Sequence, residues 1–326
     1  MKKFFTTVAS GCALTLAAGQ AQAVELTLAH HDSLASINTH MADSFIDCVQ
    51  GQTETTFNHL PAAQMGTARE IIEQLKLGAL QMSSTDVGML SAMEPSLAVV
   101  LWPFMMKDFD HAEAVMNGAP GKYIRDLMLK NHGIRIVAYL HNGFRDFLTV
   151  DKPITGLADI KGVKFRSPSH PVFLGMFKAL KAEPVPVPWS EAYTAMQTKL
   201  VDAMETGPEG MVNSKMYEVG KHVVKSGHIY GMMTLVIRED VYQKLDGTTQ
   251  KAFASCGAKY TKEGNAEFRN RTDKAYKFLA DKGLTVSDID KGPLQKALKP
   301  VWGDLQKDLD PKISQELIDL IQNAAK

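Results

Sequence analysis

The stretch Gly162-Val163-Lys164-Phe165-Arg166-Ser167-Pro168-Ser169 is where the fold of this chain is decided. A glycine breaks the backbone, residues 163–166 alternate as a short strand, and a helical pattern opens at Ser169 and runs to 180. Arg166 stands at the carboxyl end of the strand, two residues before Pro168. A backbone punctuated in this way can aim a guanidinium into a cleft. On the amino-terminal side lies a clear strand over 134–140, followed by Asn142-Gly143-Phe144-Arg145. On the other side Pro186 and Pro188 fix the chain before Trp189, and Ser190 caps a helix expected over 190–201 that carries Tyr193. Asp202-Ala203-Met204-Glu205-Thr206 follows. Guanidinium groups are permanently charged and offer carboxylates two parallel N–H donors. Two of them beside an aromatic and an acid, all at element ends, point to a pocket for a small organic anion.

The alternation of strand and helix continues through the chain. Strands are expected over 24–30, 55–60, 81–87 and 235–237, and helices over 36–50, 67–77 and 110–131. Thr67 with Glu70 makes a capping box, and Gly78 ends that helix. Residues 97–106 are the longest apolar run past the leader. They are too few to span a bilayer and contain Pro103, so they belong to a core. From 241 onward the pattern is helical, with breaks near Gly283 and Pro311. Such an order defines an α/β chain with largely parallel sheets. The chain has 326 residues, more than one hydrophobic core usually holds, so two lobes are expected.

Residues 1–23 read as a cleavable secretory signal: Lys2 and Lys3, an apolar stretch, then Ala21-Gln22-Ala23 before Val24. The apolar stretch is shorter than the ~20 residues of a membrane span. Export places the protein in the periplasm. Lysines plus arginines equal acids at 36 each, so no overall field attracts nucleic acid. Selectivity for an anion must come from locally placed arginines. Beyond the leader remain Cys48 and Cys256. They could pair in an oxidising compartment, but they lie far apart in helical segments and are read as buried thiols. The methionine-rich stretches at 211–216 and 232–233 read as core filling.

Gln64-Met65-Gly66 with Arg69-Glu70, Trp102-Pro103-Phe104 and Gly143-Phe144-Arg145 together resemble the periplasmic substrate-binding subunits of TRAP transporters, the DctP family. The likeness is strongest at Asp159-Ile160-Lys161-Gly162-Val163-Lys164-Phe165-Arg166, similar to the family's D-L-K-G-L-K-x-R. It resumes at residues 190–197, 201–205 and 217–221. The resemblance implies a two-lobed periplasmic binding protein (type II-like). Two mixed, mainly parallel sheets flanked by helices would enclose a ligand cleft between lobes. Lobe I would comprise residues 24–142 plus 231–270, and lobe II residues 143–230 plus 271–326. It further implies capture of a small organic acid and delivery to TRAP membrane permease subunits, with no cofactor. Arg166 matches the family arginine that pairs with the solute carboxylate, Arg145 a second pocket arginine, Trp189 a cleft aromatic and Glu205 the acid of D-G-x-E-N-P. Here Ala203 replaces the glycine of that motif, Thr206 replaces a frequent pocket asparagine, and Arg166-Ser167-Pro168 replaces R-V-P.

Each candidate has a plainer alternative. Arg166 could bridge to Asp146 or Asp159 at the surface. Arg145 could be a structural ion pair, with Glu205 itself as partner. Glu205 could orient an arginine, accept from a solute hydroxyl or amine, or face water. Trp189 could stack on the solute or fill the core. Tyr193, one turn on, could reach the same space or merely pack. Asp86 could accept from solute hydroxyls or cap the next segment. His30-His31-Asp32 offers too few donors for a metal, which leaves His31 as pocket lining. A secreted enzyme acting on a small carboxylate is the alternative class, and a solute sensor of the same fold a third. The chain contains neither a Gly-x-Ser-x-Gly elbow nor His-Glu-x-x-His, and no Gly-rich phosphate loop.

Overall fold

The computed structural model describes residues 24–324. The leader expected over residues 1–23 lies outside the described residues. The chain opens as β1 (Glu25–Ala29), α1 (Ile37–Gln50), β2 (Thr56–Leu60), α2 (Ala68–Leu77) and β3 (Met82–Asp86). Ser36 caps α1 by accepting from the Thr39 N–H, and the Thr67/Glu70 capping box opens α2. Gly78 ends α2 in the left-handed region at φ 83°. The apolar run after β3 is wound into 3₁₀ turns, and Leu97, Val99, Val100 and Trp102 are buried. Where one helix is expected over 110–131 there are two, α3 (Phe109–Asn117) and α4 (Ala119–His132). Gly118 breaks the pattern between them, and Pro120 sits in the first turn of α4, where its missing N–H costs nothing.

The largest departure from the sequence reading is β4. It does not stop before Gly143 but runs as one strand over Ile134–Thr149. Gly143 adopts φ 80°, and a Cβ there would lie 2.6 Å from the Phe268 ring, so only glycine lets the strand pass. The second half is built from β5 (Lys164–Ser167), α5 (Pro171–Ala179), β6 (Glu183–Pro186), α6 (Ala192–Gln197), β7 (Ala203–Thr206) and α7 (Pro208–Asn213). Ser190 does not cap α6; residues 189–191 form a separate 3₁₀ turn ahead of it. The strand expected over 235–237 is the end of a 17-residue strand, β8 (His222–Arg238). Then come α8 (Glu239–Tyr242), the 35-residue α9 (Gly247–Asp281), an unanticipated β9 (Thr285–Asp288), α10 (Lys291–Leu298), α11 (Val301–Gln306) and α12 (Pro311–Asn323).

Strand order is β2-β1-β3-β8-β4-β7-β5-β6, with β9 also paired to β8. Each flank is mainly parallel: β1 with β2 and β3, and β5 with β6 and β7. The long antiparallel pair β4–β8 joins the flanks into one continuous ladder, so the two expected sheets share their central strands. At ~3.3 Å per residue such strands reach about 50 Å, enough to traverse both lobes. Register shifts at 136/138, 141/143 and 145/147 bend this ribbon midway.

Cys48 and Cys256 form a disulfide, which corrects the reading of two buried thiols. Helices α1 and α9 lie side by side and bring the two Cα atoms to 5.9 Å across 208 residues of sequence. That neighbourhood is a tertiary fact invisible in either segment alone. Helices α10 and α11 pack on α5, whereas α12 packs on α4 and the turns at 95–101, so the end of the expected second lobe leans on the first. No described helix is long and apolar enough to cross a membrane.

Candidate functional site

A cavity of about 420 Å³ opens where strand ends of the two halves meet. The first half contributes His31 and Asp32 after β1, Asn38 from α1, Arg69 from α2 and Asp86 from β3. The second contributes Arg145 from β4, Arg166 from β5, Trp189, Thr206 from β7 and Glu209 from α7. Crevices at strand carboxyl ends are where α/β sheets bind ligands.

Arg166 is 3 % exposed. Its Nε donates to the Val187 carbonyl at 2.9 Å, and its guanidinium carbon stands 5.5 Å from the Trp189 ring centre. The strand holds it in register between Val185 of β6 and Met204 of β7. Among the described residues it forms no ion pair. Asp146 is taken by the Tyr276 hydroxyl and the Gly227 N–H, and Asp159 by Thr155 and Gly156, so neither alternative partner reaches it. Burial pushes the guanidinium down to about 10; Glu205 opposes that shift and Arg145 adds to it. A buried cation without a bonded acid is costly, and a carboxylate in the cavity would remove that cost.

Arg145 also lines the cavity, but its charge is already matched. Nη2 donates to Glu205 Oε1 at 2.8 Å and to the Glu205 carbonyl at 3.0 Å, and Nε donates to Oε2. Burial alone would lower this guanidinium; the Glu205 carboxylate outweighs it and holds Arg145 above its ordinary range. Glu205 is fully buried and is not among the cavity-lining residues. Of its expected roles, the geometry favours orienting an arginine. His228 Nε2 lies 3.9 Å from Glu205. Burial, reinforced by Arg145 and Lys291, keeps that imidazole neutral down to about 3. The ring stacks on Phe147 at 4.4 Å. Nothing in the sequence around His228 signals this placement.

Asp86 closes β3 against the cavity. Its Oδ1 accepts from the Gly88 N–H at 2.8 Å and its Oδ2 from Asn142 Nδ2 at 3.3 Å. Burial outweighs these bonds and raises the carboxyl to about 6. Trp189, Thr206 and His31 line the cavity as expected. Tyr193 does not: its hydroxyl donates to Glu218 at 2.9 Å, away from the cavity. The chain between Trp189 and Tyr193 is a 3₁₀ turn rather than a full helical turn, so the two side chains do not share a face. His30 lies behind the wall, with its Nε2 3.0 Å from His59 Nε2. Among the described residues no group of three or more His, Cys, Asp or Glu is placed to hold a metal.

Sequence reading missed Glu209, which is 8 % exposed and lines the cavity. The available signal was its position directly after Pro208 at a helix start. It also missed Asn38 and the aromatic floor of Phe173, which lies 5.3 Å from the Arg145 guanidinium.

Comparison with known proteins bears on this geometry. The profile of the family described as bacterial extracellular solute-binding protein, family 7 (DctP), matches residues 28–308. The sialic acid-binding periplasmic protein SiaP of Vibrio cholerae is 29 % identical over 311 residues, covering 94 % of each chain. A TRAP periplasmic solute-binding protein of Roseobacter denitrificans, solved with β-D-glucuronate, superposes with a TM-score of 0.87 at 26 % identity, covering 92 % of this chain and 99 % of that one. Another from Polaromonas sp. JS666, solved with D-erythronate, gives 0.85 at 28 % identity, covering 92 % and 98 %. These relatives are substrate-binding proteins, not enzymes. From β1 through α11, in sequence and in two-lobed architecture alike, the chain belongs to the DctP family of bacterial extracellular solute-binding proteins.

Proposed function

We propose that this protein is the periplasmic solute-binding subunit of a TRAP-type secondary transporter, and that it captures a small organic acid through a carboxylate contact to Arg166. The supporting observation is a buried guanidinium that lines the cavity between the two halves and has no acid bonded to it among the described residues. Glu205 neutralises Arg145 and leaves Arg166 as the cation in surplus at that end. A hydrogen bond to a buried charge contributes roughly 1.5–3 kcal/mol, a sizeable share of the ~8 kcal/mol of a micromolar complex. Trp189 and Phe173 supply apolar surface around the anchored group. Residues 1–23 direct export and are removed. Lobe I (24–142 plus 231–270) and lobe II (143–230 plus 271–326) close over the solute, and the closed form is what the permease subunits receive.

Closure follows from differential affinity: the solute favours the closed form only as far as it contacts both lobes. Contacts that already cross the cleft include Ser91 Oγ with His170 Nε2 at 2.9 Å and the Ile37 N–H to Glu209 at 3.1 Å. A thermal-shift screen of the purified protein against organic acids tests the reading. An acid at one hundred times its dissociation constant should add ~2.7 kcal/mol of stability. It should be recovered unchanged, and Arg166→Ala should abolish the shift. Turnover of the acid, or an undiminished shift in that variant, would refute it.

A further inference from the structure

Part of the cavity wall belongs to a different electrostatic neighbourhood from Arg166. Glu209 is the second residue of α7, directly after Pro208, and its Oε1 accepts from the backbone N–H of Ile37 at 3.1 Å. Ile37 is the first residue of α1, in the opposite half of the molecule. The charges acting on Glu209 are Arg271, 3.8 Å away, and Asp32, whereas those acting on Arg166 are Glu205 and Arg145.

The first turn of a helix presents unpaired N–H groups and a partial positive charge, and so receives anions. In this cavity the first turn of the 14-residue α1 already has its anion, and that anion is a side chain of the protein. Asp32 adds a second carboxylate to the same wall, and its buried Oδ2 accepts no hydrogen bond among the described residues. The nearest basic atom, His30 Nδ1 at 3.6 Å, belongs to an imidazole that burial keeps neutral down to about 4. Asn38, 3 % exposed, presents a side-chain oxygen that also lacks a donor. The carboxylates of Asp32 and Glu209 on this wall accept and cannot donate, so they favour a donor on the solute, while a second carboxylate placed between them would meet like charge; Arg69, the cation on the same half of the lining, is exposed.

We propose that Glu209, with Asp32 and Asn38, is a specificity determinant that restricts the pocket to solutes bearing one carboxylate and a hydrogen-bond-donating terminus, hydroxyl or ammonium, and excludes dicarboxylates. The inference rests on the Arg166 anchor and adds the chemistry of the remaining wall. Glu209 excludes a second anion by occupying the place that anion would take.

Titration calorimetry with matched acids tests it. The pairs are erythronate with meso-tartrate and gluconate with glucarate, which differ only in a terminal hydroxymethyl or carboxylate. The pair 4-aminobutanoate with succinate supplies the ammonium arm. The donor-terminated member of a bound pair should bind wild-type protein at least about 100-fold more tightly. Glu209→Gln, which keeps shape and removes charge, should narrow that ratio. Glu209→Ala, which vacates the start of α1, should narrow it by at least about tenfold through a gain in dicarboxylate affinity. Equal or tighter binding of the dicarboxylates, or ratios unchanged in both variants, would overturn the proposal, as would binding of no acid of either class. Failure of the anchor would look different: acid binding would persist in Arg166→Ala, whatever the ratios.

Discussion

Arg166 is a desolvated cation at the cavity wall. Replacing it by alanine removes one partner of a buried charge pair, so the affinity for the bound acid should fall by about 2–5 kcal/mol. Arg166→Lys should also weaken binding, because an ammonium cannot reproduce the two-pronged contact. Calorimetry on both variants measures this, and full retention of affinity in Arg166→Lys would show that the fork is not used. Asp86 makes a separate prediction. Its carboxyl is raised from the ordinary 3.8 to about 6, chiefly by burial. The folded protein therefore holds this proton more tightly than the unfolded chain does. The stabilisation is complete below about pH 4 and is lost as pH rises through 6, by on the order of 3 kcal/mol. Asp86→Asn should remove this slope. Denaturant unfolding of the apo protein between pH 4 and 7 should show the variant gaining on wild type by up to that amount. Arg166 and Asp86 were legible because each stands at or beside the carboxyl end of a strand with its own local signature. Glu209 was not, because its importance comes from a backbone N–H 172 residues away in sequence.

Among the elements, the long ribbon β4–β8 and the helix α9 do most to unite the molecule. Gly143 lets β4 pass Phe268, so Gly143→Ala should be strongly destabilising, by roughly 1–2 kcal/mol for the left-handed backbone alone, with the clash added. A thermal melt checks it; an unchanged midpoint would mean that the strand can reroute. The Cys48–Cys256 disulfide ties α1 to α9 across 208 residues. Its reduction, or Cys48→Ser, should cost about 2–5 kcal/mol, measured by chemical unfolding with and without reductant. Element types were largely readable from periodicity and caps, as at Thr67 and Gly78. Element lengths were not. A glycine inside a strand reads as a stop, and only the ring of Phe268, brought by α9, explains why the strand continues. Strand β9 pairs with β8 in the middle of a helical stretch, and its four residues are too few for a pattern of their own.

For the molecule as a whole, the sequence order of strands and helices announced an α/β protein, and chain length together with the family resemblance announced two lobes. What neither announced is that the lobes share their central strands, with the register shifts of β4 against β8 lying between them. Bound acid should shift the population toward the compact form. Small-angle scattering should show a smaller radius of gyration with ligand than without, and no such change in Arg166→Ala. The cavity itself emerges only at this scale, since its walls come from the ends of strands in both halves of the chain. The most direct measurement is a crystal structure of the protein with the acid that gives the largest thermal shift. The account expects its carboxylate within hydrogen-bonding distance of the Arg166 guanidinium, enclosed between the lobes beside Trp189. A carboxylate bound elsewhere, with Arg166 turned away from it, would contradict the account.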